Sequence, residues 1–186
     1  MIISNPHPLI TVYDNVFDFK DANLLYLKCF NAPFFIGWAD KWNTTESFLH
    51  SPIDSDMWAN KDLDKSMADF LDTLSNCEPY KNMVSKSIER TIINLDTVAD
   101  SHSTHIHGNQ EVLLYYANLE WQDSWGGETL FYDDSGENVI FTSPYKPNRI
   151  IKFDGEIPHR FTPPSANGPK YRLSISTFYW KELDKT

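Results

Sequence analysis

The chain has 186 residues, 41% of them hydrophobic and 15% aromatic, enough apolar material for one domain around one core and too much for a disordered chain. Lys plus Arg number 16 against 26 Asp plus Glu, a formal net charge of −10, which repels phosphate backbones and anionic lipid unless a local basic patch intervenes; the sequence shows none. Cys29 and Cys77 lie far apart without metal-ligand spacing, the N-terminus turns polar too early for a signal peptide, and no apolar run approaches the roughly 20 residues of a membrane span. A cytoplasmic protein with neither nucleic-acid nor membrane partners is expected.

Residues 9–13 read as a short strand. Residues 18–30 read as a helix with Leu24, Leu25 and Leu27 on an apolar face, stopped at Asn31, Ala32 and Pro33. Residues 34–38 suit a strand, and 44–60, polar and punctuated by Pro52, read as loop. Between 62 and 74, Leu63, Met67, Phe70, Leu71 and Leu74 recur near the helical period, which predicts a second helix. From about residue 88 the texture changes to short strands at 90–96, 111–117, 129–132, 138–142, 149–153, 159–161 and 172–180, separated by glycine- and proline-bearing turns. The run at 111–117 is apolar enough to be buried on both faces. Many short strands after early helices indicate a mainly β fold, a jelly roll over 88–180 with an α-helical buttress over 1–87, in a single domain spanning 1–186.

Three of the six histidines fall in one short segment, His102, His105 and His107. His105 and His107 are two apart, so on a strand both imidazoles point to the same face. One more donor from across a barrel completes a metal site, and His159, opening a later strand after Pro158, is the natural candidate. A lone histidine is more often a surface or core residue than a ligand, and His7, His50 and His102 are read that way. On the strand 172–178, alternation puts Arg172, Ser174 and Ser176 on one face and Leu173, Ile175 and Thr177 on the other. If the polar face lines a barrel, Arg172 is a buried guanidinium that needs an anionic partner, and a bound carboxylate would supply one through a bidentate fork.

Several short motifs occur in a fixed order along the second half of the chain: Ile93-Asn94, His105-Ile106-His107-Gly108, the Leu114-Tyr115-Tyr116-Ala117-Asn118 run, Glu120-Trp121, Trp125-Gly126-Gly127-Glu128-Thr129, Lys146 to Arg149, Phe153-Asp154-Gly155, Pro158-His159 and Arg172-Leu173-Ser174. Together they resemble the prolyl-4-hydroxylase-like branch of the Fe(II)/2-oxoglutarate-dependent oxygenases, whose fold is a double-stranded β-helix with helices packed outside. The resemblance runs from about 88 to 180. It implies Fe(II) as cofactor, 2-oxoglutarate as co-substrate, and hydroxylation of a small-molecule or peptide substrate. It puts the family's metal histidines on His105 and His159, its carboxylate-clamping arginine on Arg172, and a tyrosine that hydrogen-bonds the same carboxylate on Tyr116. Gly126 and Gly127 fall on turn positions and are expected to be structural. Trp121, Trp125 and Tyr145 either shape a substrate mouth or simply pack.

One departure from the pattern stands out. The family's His-x-Asp is here His105-x-His107, and no His-x-Asp or His-x-Glu occurs in the chain. Three outcomes are compatible with it: His107 is the third ligand, giving a metal ligated by three neutral groups; it swings away and leaves a position for water or halide; or the site holds a different divalent ion. Its place on the shared strand face favours the first. The closest rival reading is a cupin-type site built from His105, His107, Glu111 and His159 without 2-oxoglutarate, although the glycines flanking that motif are replaced by Ala99 and Asn118. A three-histidine zinc lyase or hydrolase and a degenerate metal-binding module are further alternatives.

Overall fold

A computed structural model of the chain describes residues 1–38, 48–54, 65–83, 87–100 and 102–181. Among these residues, strands β1 (Ile2–His7), β2 (Ile10–Asp14), β3 (Phe35–Trp38), β4 (Phe48–Asp54), β5 (Ile88–Asp96), β6 (Gln110–Tyr116), β9 (Arg149–Asp154) and β11 (Arg172–Trp180) form an eight-stranded sheet in the order β1-β2-β9-β6-β11-β5-β4-β3. Strands β7 (Thr129–Tyr132), β8 (Val139–Ser143) and β10 (His159–Phe161) form a three-stranded sheet in the order β10-β7-β8. Every ladder is antiparallel, as a jelly roll requires.

The alternation of side chains along the central strands explains why two layers cover the large sheet. On β6, Leu113 and Tyr115 point into a core shared with the helices, while Val112, Leu114 and Tyr116 point into a second core shared with the small sheet. An apolar run with both faces covered is the outcome expected for residues 111–117. On the outer side, helix α1 (Phe19–Phe30) contributes Leu25 and Cys29 and helix α2 (Lys65–Asn76) contributes Phe70, Leu71 and Leu74. Asp18 caps α1 by accepting a 2.9 Å hydrogen bond from the Asp21 N–H. A single further turn, α3 (Glu78–Lys81), follows. No described helix is long and apolar enough to cross a membrane.

Two expectations need correction. The stretch 44–60 is not all loop, because 48–54 form β4; the rest of that stretch lies outside the described residues. Pro52 is tolerated because β3 pairs with β4 only between Phe48 and His50, so the proline sits where β4 is an edge strand. The N-terminal half is also more than a helical buttress, since β1 to β4 extend the large sheet at both ends. The second helix is present from Lys65, and its expected beginning at 62–64 lies outside the described residues.

Candidate metal and co-substrate site

The small sheet brings His159 against the histidine segment. His105 and His159 exchange two backbone hydrogen bonds of 3.0 Å, an isolated antiparallel bridge, and the His107 N–H donates to the Gly155 carbonyl at 2.7 Å. Gly155 permits that approach, because a Cβ there would lie 2.7 Å from the Gln110 carbonyl oxygen and 2.9 Å from that of Gly108. The segment is extended but is not part of a named strand. It keeps strand parity all the same: Ile106 is exposed while the rings on either side of it converge.

The three imidazoles lie close together, with ring centroids 4.9 Å apart for His105 and His107, 4.6 Å for His105 and His159, and 4.9 Å for His107 and His159. One ring nitrogen from each lies within 4.8 Å of the others. The second-layer contacts select which nitrogen. His105 Nδ1 sits 3.0 Å from the Ser103 carbonyl oxygen, and His159 Nδ1 sits 2.9 Å from that of Ile157. A carbonyl only accepts, so each Nδ1 carries the proton and each Nε2 presents its lone pair. That is the usual orientation of ligand histidines.

His159 Nε2 is buried and has no hydrogen-bond partner, a costly state for a polar atom unless a cation completes it. Burial, reinforced by the neighbouring His105 and opposed by the Ile157 carbonyl, holds the His159 pKa down at about 3. Burial first, then His159, His105 and Arg90, push His107 far below the ordinary imidazole range. Both rings are therefore neutral at pH 7, the form that coordinates a metal. The donor set of three neutral imidazoles fits a divalent transition-metal ion. Glu111 does not join them: its carboxylate pairs with Lys152 at 3.0 Å, which removes the support for a cupin-type set.

Arg172 stands beside this cluster on the inward face of β11, fully buried. Its anionic partner belongs to the chain itself. The β5–β11 register places Asp96 directly opposite, and Arg172 Nη1 donates to Asp96 Oδ2 at 2.7 Å. Arg172 Nε donates to the Gly127 carbonyl at 2.9 Å, while Nη2 is buried without a partner. The second Asp96 oxygen meets His102 Nε2 at 3.2 Å. Burial alone would raise the Asp96 pKa, but the His102 hydrogen bond and the Arg172 charge bring it below the ordinary carboxylate value. His102, read from sequence as a bland surface or core residue, is thus buried and paired, stacked on Phe48 at 4.0 Å with Phe161 edge-on at 5.4 Å.

An aromatic cage surrounds the guanidinium, with its central carbon 5.3 Å from the Tyr116 ring, 5.1 Å from Tyr145 and 4.7 Å from Phe161. The Tyr116 hydroxyl, expected to meet a bound carboxylate, is hydrogen-bonded to Thr129 Oγ1 at 2.7 Å. The Tyr145 hydroxyl is buried, accepts from the Asn118 N–H at 2.9 Å, and lies within donating distance of Asn118 Oδ1 at 2.7 Å and the Leu173 carbonyl at 2.6 Å, with one proton for the two. Trp121 lies over Tyr145 with ring centroids 4.2 Å apart and the planes tilted by 37°, and it donates to the Gly126 carbonyl, so it roofs the cage. Gly127, at φ +85°, is required there: a Cβ would lie 2.8 Å from the Trp121 ring.

With that geometry in view, the likeness to known proteins has a structural basis. Residues 95–180 match the family model described as the 2OG-Fe(II) oxygenase superfamily. The matched stretch lies within the jelly-roll half of the chain. No curated protein matches the sequence. Among solved structures, the fold is similar to a prolyl hydroxylase from Trichoplax adhaerens in complex with a hypoxia inducible factor peptide fragment, with a TM-score of 0.68 and 17% identity over 92% of this chain and 83% of that one. It is also similar to a Pseudomonas putida prolyl-4-hydroxylase, with a TM-score of 0.67 and 13% identity over 92% of both chains. A 2OG-Fe(II) oxygenase family oxidoreductase from Burkholderia pseudomallei aligns with a TM-score of 0.65 and 13% identity over 93% of this chain and 85% of that one. At these identities the structural likeness speaks for the fold, and the family uses Fe(II) and 2-oxoglutarate.

Asp96 and His102 are the residues that sequence reasoning missed. A signal for Asp96 existed: Ile92, Asn94 and Asp96 share the inward face of β5, and a polar tail on such a strand is costly unless partnered.

Proposed function

We propose that this oxygenase hydroxylates a C–H bond of a peptide or small-molecule substrate, with Fe(II) held by His105, His107 and His159 and with 2-oxoglutarate anchored at Arg172. The observation that carries the reading is His159 Nε2, buried, lone pair inward and unpartnered, facing two further imidazoles within ligand distance. Bound together, Fe(II) and 2-oxoglutarate would supply oxidative chemistry in which O2 is the oxidant, one oxygen atom ending in succinate as carbon dioxide leaves and the other in the hydroxylated substrate.

The chain's own contribution is orientation, charge and dryness. The Ser103 and Ile157 carbonyls fix the tautomers and ring planes of His105 and His159. Phe131 and Phe153 pack around His159, and Phe178 packs edge-on against His107, keeping water from the buried side of the cluster. Arg172 Nη2 is a buried donor suited to an anionic oxygen. The similarity in fold to prolyl hydroxylases makes a peptidyl proline one substrate class to screen, beside amino acids and other small molecules.

The test is spectroscopic first. Anaerobic addition of Fe(II) and 2-oxoglutarate gives a weak visible charge-transfer band if both meet at one metal, and oxygen-dependent succinate release follows. Absence of the band, together with 2-oxoglutarate binding that Arg172→Ala leaves unchanged, overturns the reading. His107→Asp is expected to lower succinate release, because the site is shaped for a third imidazole; a gain would point instead to a weakened version of a site that works better with a carboxylate.

A further inference from the structure

The family's co-substrate carries carboxylates, yet in this chain the cation that would receive one already holds one. Asp96 Oδ2 lies 2.7 Å from Arg172 Nη1, in direct cross-strand register and with both side chains essentially without solvent contact. The carboxylate is held from its other side by His102, itself clamped between Phe48 and Phe161. Asp96 also stands on the ligand's route. The cavity beside the metal histidines is lined by Asp96, His102, His105 and His107, among others, whereas Arg172 is not in its wall. Its volume of about 30 Å³ holds about two waters at about 10–15 Å³ each, not a dicarboxylate. Looking outward from the metal, a ligand therefore meets the Asp96 carboxylate before the guanidinium. Like charges in a buried space repel strongly, so a second carboxylate cannot join Asp96 at the Arg172 guanidinium without cost.

We propose that Asp96 is an internal counter-ion that a 2-oxoglutarate carboxylate must displace from Arg172, so that the Asp96–His102 pair sets how tightly this chain holds its co-substrate. The inference rests on the co-substrate reading above and adds a determinant of affinity within it. Arg172 Nη2, buried and unpartnered, is the point of first attachment, and Nη1 becomes available only when Asp96 swings off. His102 is a positioning residue: its hydrogen bond to Oδ1 holds Asp96 in the blocking position.

The experiment measures 2-oxoglutarate binding to the Mn(II)-loaded full chain by calorimetry, with Mn(II) affinity measured separately. Asp96→Asn is expected to tighten the 2-oxoglutarate Kd by about tenfold or more, the scale of one buried like-charge contact removed. His102→Phe, which keeps the ring stacked on Phe48 but drops the hydrogen bond, is expected to tighten it by about threefold. Mn(II) affinity stays unchanged in both. Thermal melting supplies a second readout: Asp96→Asn melts lower than wild type without ligand and gains more on adding 2-oxoglutarate. A residue that merely supports the fold would lower the melting temperature and leave the Kd alone.

If wild type binds 2-oxoglutarate and Asp96→Asn binds it equally or more weakly, the inference is overturned and the co-substrate reading stands. Should Asp96→Asn not be recovered folded, His102→Phe carries the test, and unchanged or weaker binding there overturns the inference. Mn(II) binding with no 2-oxoglutarate binding in wild type or either variant overturns the co-substrate reading and the inference together.

Discussion

Two polar clusters meet at one small cavity, lined by His105 and His107 from the first and by Asp96 and His102 from the second, and they are built on opposite terms. The histidine cluster is incomplete by itself: three imidazoles converge, and His159 Nε2 has no partner inside the protein. The arginine cluster is nearly self-sufficient, with Arg172 answered by Asp96, Asp96 by His102, and the guanidinium wrapped in Tyr116, Tyr145 and Phe161. The first is organised around something that must come from outside. The second is organised so that the fold survives before anything arrives, because an uncompensated buried cation would cost too much. The contrast teaches that a buried guanidinium needs an anion of its own while no ligand is bound; under the inference above, that anion then competes with the ligand.

The sharpest way to break the contrast is at the self-sufficient end. Arg172→Ala leaves the Asp96 carboxylate buried without its guanidinium and is expected to lower the unfolding free energy by about 3–5 kcal/mol, read by urea denaturation. Acidification acts on the other cluster. His159 holds a pKa of about 3 in the folded metal-free protein against about 6.5 when unfolded, so the unfolded chain binds more protons between those values. Stability of the metal-free protein therefore falls as pH drops from about 6.5 toward 3, and saturating Mn(II) should raise the whole curve without removing that fall, because the metal-bound His159 also carries no proton while the unfolded chain still takes one up.

His159→Ala separates the clusters. Metal affinity should fall by more than about 100-fold, beyond the range typical of outer-shell partners, while the metal-free protein loses less stability than Arg172→Ala does, since a buried unpartnered nitrogen leaves with the ring. Metal titration and urea melts on the same preparation check both halves of that statement. The smallest effect belongs to the roof of the arginine cage. Gly127→Ala places a methyl against Trp121 at a positive φ and is expected to cost about 1–3 kcal/mol, visible as a lowered melting temperature with the metal affinity unchanged.

The histidine cluster is legible in the amino-acid sequence. His105 and His107 share a face by parity alone, and His159 follows a proline at the mouth of a strand. The strands from residue 88 onward are legible as well, each expected run overlapping an observed one, because both faces of the large sheet are covered and the apolar pattern is correspondingly strong. Strands β1 and β4 are not. Pro6 and Pro52 interrupt them, and an edge position that tolerates proline is a property of the sheet rather than of the segment.

What the sequence by itself determined is the set of periodicities: which residues share a face, that Arg172 heads a polar face of its strand, and that two histidines can act together. Only the tertiary structure decided which anion answers Arg172. Asp96 and Arg172 are 76 positions apart, and the register between β5 and β11 that sets them opposite each other depends on the packing of the whole sheet. Local pattern fixes the direction of a side chain; pairing partners across a sheet come from long-range contacts, and in this chain those contacts turned a vacant-looking clamp into one already holding a carboxylate of its own.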